Sequence, residues 1–211
     1  MSKTLLLIIL FIGCQSKGNS QDAIFKIAKH YYRSEPFEKE FSQFLHHLIN
    51  DPLLSNKTIH KKTDSTLFFL EGTYLDHRPF FFRGEKSRVI LAEKEQSVLI
   101  DSINYLQTIY VYQLIGYAPR GAEGVKDVEA EFEKFSRRYK NAFPRNQYRE
   151  IKRDNERSGQ VRDYAGEALN FFPLTIAWAS SQSNQENIFA ITIRFMVDNN
   201  RAHLPKAFYG F

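Results

Sequence analysis

Apolar residues recur at the spacing of an amphipathic helix in four parts of the chain. Helices are predicted over residues 22–33, from Ser34 to just before Asn50, over 125–142 and over 160–171. Ser34 is a favourable N-terminal cap for the second of them. The third helix has one apolar stripe, formed by Val125, Val128, Phe132, Phe135, Tyr139 and Phe143.

Between these helices the pattern changes to β-branched and aromatic residues separated by turn residues, which is typical of strands. Short strands are predicted over residues 66–75, 78–83, 88–93, 98–103, 174–180 and 188–197. The strongest strand candidate is 108–117, and because both of its faces are apolar we expect it near the centre of the sheet. The prediction is an α+β fold, a mostly antiparallel sheet packed against amphipathic helices.

Residues 23–211 are predicted to form a single globular domain, since about 190 residues suit one domain. Aromatic residues are 15% of the chain, which is ample for a core. Residues 37–44 resemble residues 128–135, and each segment lies in a predicted helix that precedes strands. Two explanations stay open: two similar halves, near 23–118 and 119–211, or the common periodicity of amphipathic helices.

The first fourteen residues have the order of a secretory signal. Lys3 precedes an apolar run over residues 5–12, and the small Gly13 follows it. As a helix this run would rise about 12 Å, at ~1.5 Å per residue, whereas a bilayer core measures ~30 Å. The run can enter an export channel but is too short to span a membrane, so residues 1–13 are predicted to be a signal peptide.

Residues 10–14, Leu-Phe-Ile-Gly-Cys, resemble the lipobox of bacterial lipoproteins. The resemblance covers only the signal segment, and Phe11 stands where that class usually has leucine. It implies cleavage between Gly13 and Cys14 and a diacylglyceryl group on the Cys14 thiol. Gln15, rather than aspartate, follows the cysteine, which by the best-known sorting rule of the class favours the outer membrane.

The physical argument for lipidation does not need the resemblance. Cys14 is the only cysteine, so it cannot form an internal disulfide. Two acyl chains would attach it stably to a membrane, at ~0.8 kcal/mol per buried CH₂. The alternative is an apolar N-terminal helix in which Cys14 is a small buried hydrophobic residue. Residues 15–22 are small and polar, so residues 14–22 are predicted to be the lipidated cysteine and a flexible tether.

Charge argues against a nucleic-acid partner. The formal net charge is +5, but basic and acidic residues alternate through most of the chain, whereas a nucleic-acid surface needs clustered basic residues. The most polar stretch, residues 145–162, contains both signs. It predicts a solvated loop or helix face in preference to a patch for nucleic acid or anionic lipid.

Two groups of residues are weak candidates for chemistry. Asp76 and His77 lie in a predicted turn, where an aspartate could orient a catalytic histidine, although turns favour aspartate for backbone reasons alone. Backbone N–H groups before the third helix could hold an anion, or the glycines there serve only the turn. The ligand-binding candidates in this loop are Gly116, Gly121, Gly124 and Lys126.

No metal site and no cofactor is predicted. His46 and His47 are adjacent, so they diverge by about 100° around a helix, whereas ligand pairs prefer the i, i+4 spacing. Two aromatic segments, residues 80–82 and 207–211, lie either in the core or at a binding surface.

These features predict a membrane-tethered lipoprotein of the cell envelope that acts as a non-catalytic binding or assembly protein. The lipid on Cys14 would hold it at a membrane, with the outer membrane favoured and the domain in the periplasm or at the cell surface. An envelope protein is the expected partner. Two alternatives stay open: an envelope hydrolase whose site assembles from distant residues, and a carrier of an apolar small molecule.

Overall fold

All eight strands of the described chain lie in one antiparallel sheet. The structure, a computed structural model, describes residues 46–61, 66–75, 86–100, 102–140, 142–143, 145–151, 157–165, 171–183 and 185–197. The strands are β1 (Leu54–Lys61), β2 (Thr66–Leu75), β3 (Lys86–Ile100), β4 (Ile103–Ala118), β5 (Arg145–Ile151), β6 (Arg157–Ala165), β7 (Leu174–Ser181) and β8 (Glu186–Val197). A helix, α1 (Ala122–Tyr139), follows β4, and residues 46–49 are also helical.

The strand order is β1-β2-β3-β4-β8-β7-β6-β5. Two four-stranded meanders therefore meet where β4 pairs with β8, from Thr108 opposite Val197 to Ala118 opposite Asn187. One meander lies before α1 and the other after it. The expected halves thus contribute four strands each, while their common origin stays a prediction.

The α+β prediction was wrong, because the described structure is nearly all sheet and its helices are limited to α1 and residues 46–49. The predicted helix over 160–171 is one cause of the error, since residues up to Ala165 form β6. Within residues 145–162, the described residues 145–151 and 157–162 form β5 and most of β6 instead of a solvated loop or helix face. The polar residues Gln160 and Asp163 obscure the strand pattern of β6. Both accept hydrogen bonds from side chains of a neighbouring strand, and the sequence does not reveal these bonds.

Several strand predictions were confirmed. Residues 66–75 coincide with β2, 174–180 lie within β7, and 188–197 lie within β8. Residues 108–117 lie within β4, which is central because β3 and β8 flank it.

The predicted strands 88–93 and 98–103 are not separate. Residues of both belong to β3, whose central polar residues stay extended because they pair with β4, as Glu95 does with Thr108. The predicted strand 78–83 and helix 22–33 lie outside the described residues. Of the predicted helix that begins at Ser34, residues 46–49 are described and are helical.

The core lies between α1 and one face of the sheet. The helix runs three residues ahead of its predicted bounds, and its apolar stripe is confirmed: Val128, Phe132, Phe135 and Tyr139 are buried. The stripe packs on β4, β7 and β8. The sheet side of this contact is formed by buried aromatic and aliphatic side chains, among them Tyr112, Leu114, Trp178, Phe189, Ile191 and Ile193.

The side chains of β2–β8 that do not lie on the α1 side of the sheet point away from the helix. We call the side that they form the second face. It follows from the registers, because opposed residues in neighbouring strands point to the same side. Ile115, Ala190, Ala177 and Val161 are successive neighbours across β4, β8, β7 and β6 on this face. Most of these residues are only half-buried, so the two faces of the sheet differ in their exposure to solvent.

Candidate interaction surface

β3 and β4 form a hairpin that extends beyond the last residues that are paired with the neighbouring strands β2 and β8. The described pairs of β2 with β3 end at Lys94, and those of β8 with β4 end at Thr108. From there β3 and β4 remain paired with each other as far as their connecting turn. We call residues 95–100 and 102–107 the hairpin end.

Two aliphatic side chains of the hairpin end are largely exposed. Leu106 is 69% exposed and Ile103 is 55% exposed, and the two side chains lie on opposite sides of the ribbon. Leu106 lies opposite the exposed Ser97, and Asn104 is exposed beside it. Exposed apolar side chains with polar residues around them mark interaction sites.

The opposite side of the hairpin end carries Ile103 beside the turn and is buried farther from it. Val98 is fully buried, Gln107 is 4% exposed and the adjoining Ile109 is 2% exposed. Within the described chain, the Oε1 atom of Gln107 has no hydrogen-bond partner. One side of the ribbon is thus fixed by burial and the other presents Leu106 in a defined orientation, which lowers the entropy cost of binding.

The surroundings of Leu106 are acidic. Glu95 is exposed on the same side of the ribbon as Leu106. Glu93, two residues earlier in β3, also lies on that side. Burial raises the pKa of the Glu93 carboxyl from its ordinary value of 4.5. The sequence has no lysine or arginine from residue 95 to residue 118. The hairpin end therefore suits an apolar groove with a polar or basic rim.

The glycine loop before α1 is closed by contacts within the chain. Gly121 lies at the N-terminus of α1 with a φ of 86°, and only glycine adopts that region readily. The side-chain Nδ2 of Asn187 donates hydrogen bonds to the carbonyl oxygens of Pro119, at 2.7 Å, and Gly121, at 3.1 Å. A Cβ atom on Gly124 would collide with the Pro119 carbonyl. These contacts favour the turn explanation.

The predicted ligand-binding residues do not form one site. Gly116 is buried in β4, opposite Phe189 of β8. Lys126 is exposed on α1, past the loop. Gly121 and Gly124 alone lie together, so the ligand contact expected from these four residues stays a prediction.

The other site predictions fall on residues outside the described ranges. These are the cleavage and lipidation residues Gly13 and Cys14, the weak catalytic pair Asp76 and His77, and the aromatic segments 80–82 and 207–211. Of the adjacent histidines, His46 and His47 are both exposed, and Asn50 contacts the His46 ring. Within the described ranges, no three His, Cys, Asp or Glu side chains are placed to hold a metal ion.

A polar network crosses the second face near its far edge. The buried Asp163 accepts hydrogen bonds from Arg149 Nε at 3.0 Å and from Thr175 Oγ1 at 2.8 Å. Arg194 donates to Thr175 Oγ1 at 2.8 Å and to the carbonyl oxygen of Phe172 at 3.1 Å. The network ties β5, β6, β7 and β8 together, which is a structural role.

The chain matches no protein-family model, no curated protein and no solved structure. No helix in the described part of the chain combines the length and apolar character needed to cross a membrane.

Sequence reasoning missed the hairpin end because it divided β3 into two strands and began the next strand at residue 108. A usable signal was present. Residues 98–106 contain five aliphatic residues around a short polar turn, Asp101-Ser102. The turn has a positive φ at Ser102 and joins β3, of 15 residues, to β4, of 16 residues. Such a ribbon must present one of its aliphatic sides unless both are covered.

Proposed function

We propose that this protein is a lipid-anchored cell-envelope protein that binds another envelope protein without catalysing a reaction. The lipid on Cys14 holds the domain at a membrane, with the outer membrane favoured. The hairpin end is the surface that contacts the partner. The partner offers an apolar groove with polar or basic groups at its rim.

The observation that carries this proposal is the exposure of Leu106 on a ribbon whose other side is buried. Leaving an isobutyl group in water is unfavourable by roughly 1.5–3 kcal/mol relative to burying it. A partner that covers Leu106 recovers that free energy. The paired backbone already holds this side chain, so binding orders little of the chain.

The binding proposal is preferred to its alternatives for a specific reason. The glycine loop, which the hydrolase alternative would use, is closed by Asn187. For an apolar carrier, no observation in the described chain favours an enclosed site. Among the described residues, the hairpin end presents a largely exposed apolar side chain, Leu106, on a paired backbone.

Crosslinking in cells tests the binding surface. A photo-crosslinking amino acid replaces Leu106 in one variant and Leu53 in another, since Leu53 is also exposed, at 47%, but lies before β1. We expect a discrete adduct with an envelope protein from position 106 and none from position 53. Equal adducts from both positions, or none from 106, would contradict the assignment of the surface.

The anchor has a separate test. Cys14→Ser removes the thiol that would carry the lipid, so we expect the variant to lose acyl labelling and to leave the membrane fraction. Retention of both label and membrane association by the variant would contradict lipidation at this residue. The two tests are independent, because position 106 can be crosslinked with or without the anchor.

A further inference from the structure

The charged residues of the described chain are divided unevenly between the two sides of the sheet. On the second face, six basic side chains stand against three acidic ones. On the other side, α1 and the helix-facing strand positions hold eight acidic and five basic side chains. The basic side chains of the second face are Lys86, Lys94, Arg88, Arg149, Arg157 and Arg194.

The acidic groups of the second face are largely neutralised from within. Glu71 pairs with Arg88 and Asp163 pairs with Arg149. In both pairs the acid is the more buried partner: the side chain of Asp163 is 5% exposed and that of Arg149 is 64% exposed. The potential that reaches solvent from this face is therefore positive, although the chain as a whole mixes both signs.

A half-buried apolar strip lies between these basic groups. One row of it comprises Ile115, Ala190, Ala177 and Val161, with Arg88 at one end and Arg149 at the other. The next row contains Tyr117, Ile188, Ala179, Gly159 and Ile151, and Lys86 stacks on the Tyr117 ring at 4.7 Å. The strip crosses five strands, about 19 Å at ~4.8 Å per strand.

From this arrangement we infer that the second face docks on the surface of an anionic lipid bilayer. Lys86, Lys94 and the outward arginines contact lipid phosphates, and the apolar strip meets the interface between headgroups and acyl chains. A second copy of this chain does not fit, because two such faces would bring like charges together. The inference rests on the proposed anchor, since a tether on Cys14 keeps the face near the membrane at a high effective concentration.

Docking in this orientation explains how a short anchor and a protein-binding surface can coexist. Leu106 is on the side of the ribbon that continues the helix-facing side of the sheet, whereas Val98 and Gln107 are on the side that continues the second face. With the second face on the lipid, Leu106 points away from the bilayer and stays accessible to a partner protein.

The test uses the full lipidated chain in vesicles of phosphatidylcholine alone or with roughly 30% phosphatidylglycerol. Because Cys14 is the only cysteine and would carry lipid, Ala179→Cys supplies a single free thiol for an environment-sensitive dye at the centre of the strip. Lys126→Cys supplies the matching site on the exposed side of α1. Emission of the sole tryptophan, the buried Trp178, reports that each variant is folded.

We expect the dye at position 179, and not at 126, to be quenched by lipid-borne quencher in anionic vesicles. About 1 M salt should release it, since the Debye length is then ~3 Å. Lys86→Glu/Lys94→Glu should reduce the docked-to-undocked ratio on the order of 30-fold, at ~1 kcal/mol per basic residue. Lys126→Glu/Lys140→Glu changes the net charge equally on the other side and should leave docking unchanged.

Flotation separates the two proposals. If the chain floats with both vesicle types but the dye at 179 is never quenched, the anchor stands and docking is wrong. If it floats with neither, both are wrong. Flotation with anionic vesicles alone, lost in Lys86→Glu/Lys94→Glu, supports docking and contradicts the anchor. If that variant docks like wild type but loses an envelope protein in pull-downs, the face binds an acidic protein and the inference is overturned.

Discussion

At the scale of single residues, the position of a polar group in the sheet decides its energetic role. Asp163 and Glu71 are both paired with arginine on the second face, but the side chain of Asp163 is 5% exposed and that of Glu71 is 27% exposed. A buried carboxylate with fixed donors contributes more than an exposed pair, whose interaction is screened by water.

Asp163→Ala should therefore lower the free energy of unfolding by about 2–3 kcal/mol, because Arg149 and Thr175 lose a charged acceptor. Glu71→Ala is the matched control and should cost about 1 kcal/mol or less. Urea unfolding followed by Trp178 emission measures both. Equal losses in the two variants would contradict the role given to burial.

Glu93 provides a test of pH dependence. Burial raises the pKa of its carboxyl above 4.5 in the folded chain. Its contribution to stability is therefore fully present below pH 4.5 and is lost as the pH rises through the raised pKa. We expect Glu93→Gln to be more stable than wild type at pH 7 and to lose that advantage at pH 4.

The measurement is the urea midpoint of both chains at the two pH values, with the exposed neighbour Glu95→Gln as a control. A wild-type chain that gains stability over Glu93→Gln on going from pH 4 to pH 7 would contradict the direction of the shift.

At the scale of elements, periodicity predicts α1 well and the sheet unevenly. The stripe of α1 is unambiguous because Val128, Phe132, Phe135 and Tyr139 recur at helical spacing and are all buried. β5 and β6 escaped prediction because β6 buries Asp163 and half-buries Gln160, and only strand neighbours reveal that these groups are bonded. Tertiary pairing overrides a local pattern in such segments.

The packing of α1 can be tested by truncating its central ring. Phe132 is fully buried between the helix and the sheet, so Phe132→Ala should lower the free energy of unfolding by about 3–5 kcal/mol. Lys126→Ala, on the exposed side of α1, should change it by less than about 0.5 kcal/mol. A loss below about 1 kcal/mol for Phe132→Ala would mean that the helix does not hold the core.

At the scale of the whole molecule, the two faces of the sheet differ in ways that a linear sequence conceals. The central position of β4 follows from its two apolar faces, and this much could be predicted. The basic second face could not, because its residues come from strands far apart in the chain, such as Lys86 and Arg149. In sequence, acidic residues separate them, and only the strand registers place them on one side.

The hairpin end illustrates the same limit. Its aliphatic residues are visible in the sequence, but which of them are covered depends on the pairing of β3 with β4. Val98 and Leu106 are both aliphatic, yet one is fully buried and the other is 69% exposed. The proposed function depends on that difference.

The most direct test of the binding proposal is a quantitative pull-down from detergent-solubilised membranes with wild type, Leu106→Asp and Leu53→Asp. Both leucines are exposed, so neither substitution should alter stability by more than about 0.5 kcal/mol. We predict a near-stoichiometric envelope protein with wild type and Leu53→Asp, and its loss with Leu106→Asp. Recovery of that protein in equal amounts with Leu106→Asp, or wild type that comes down alone, would contradict the account.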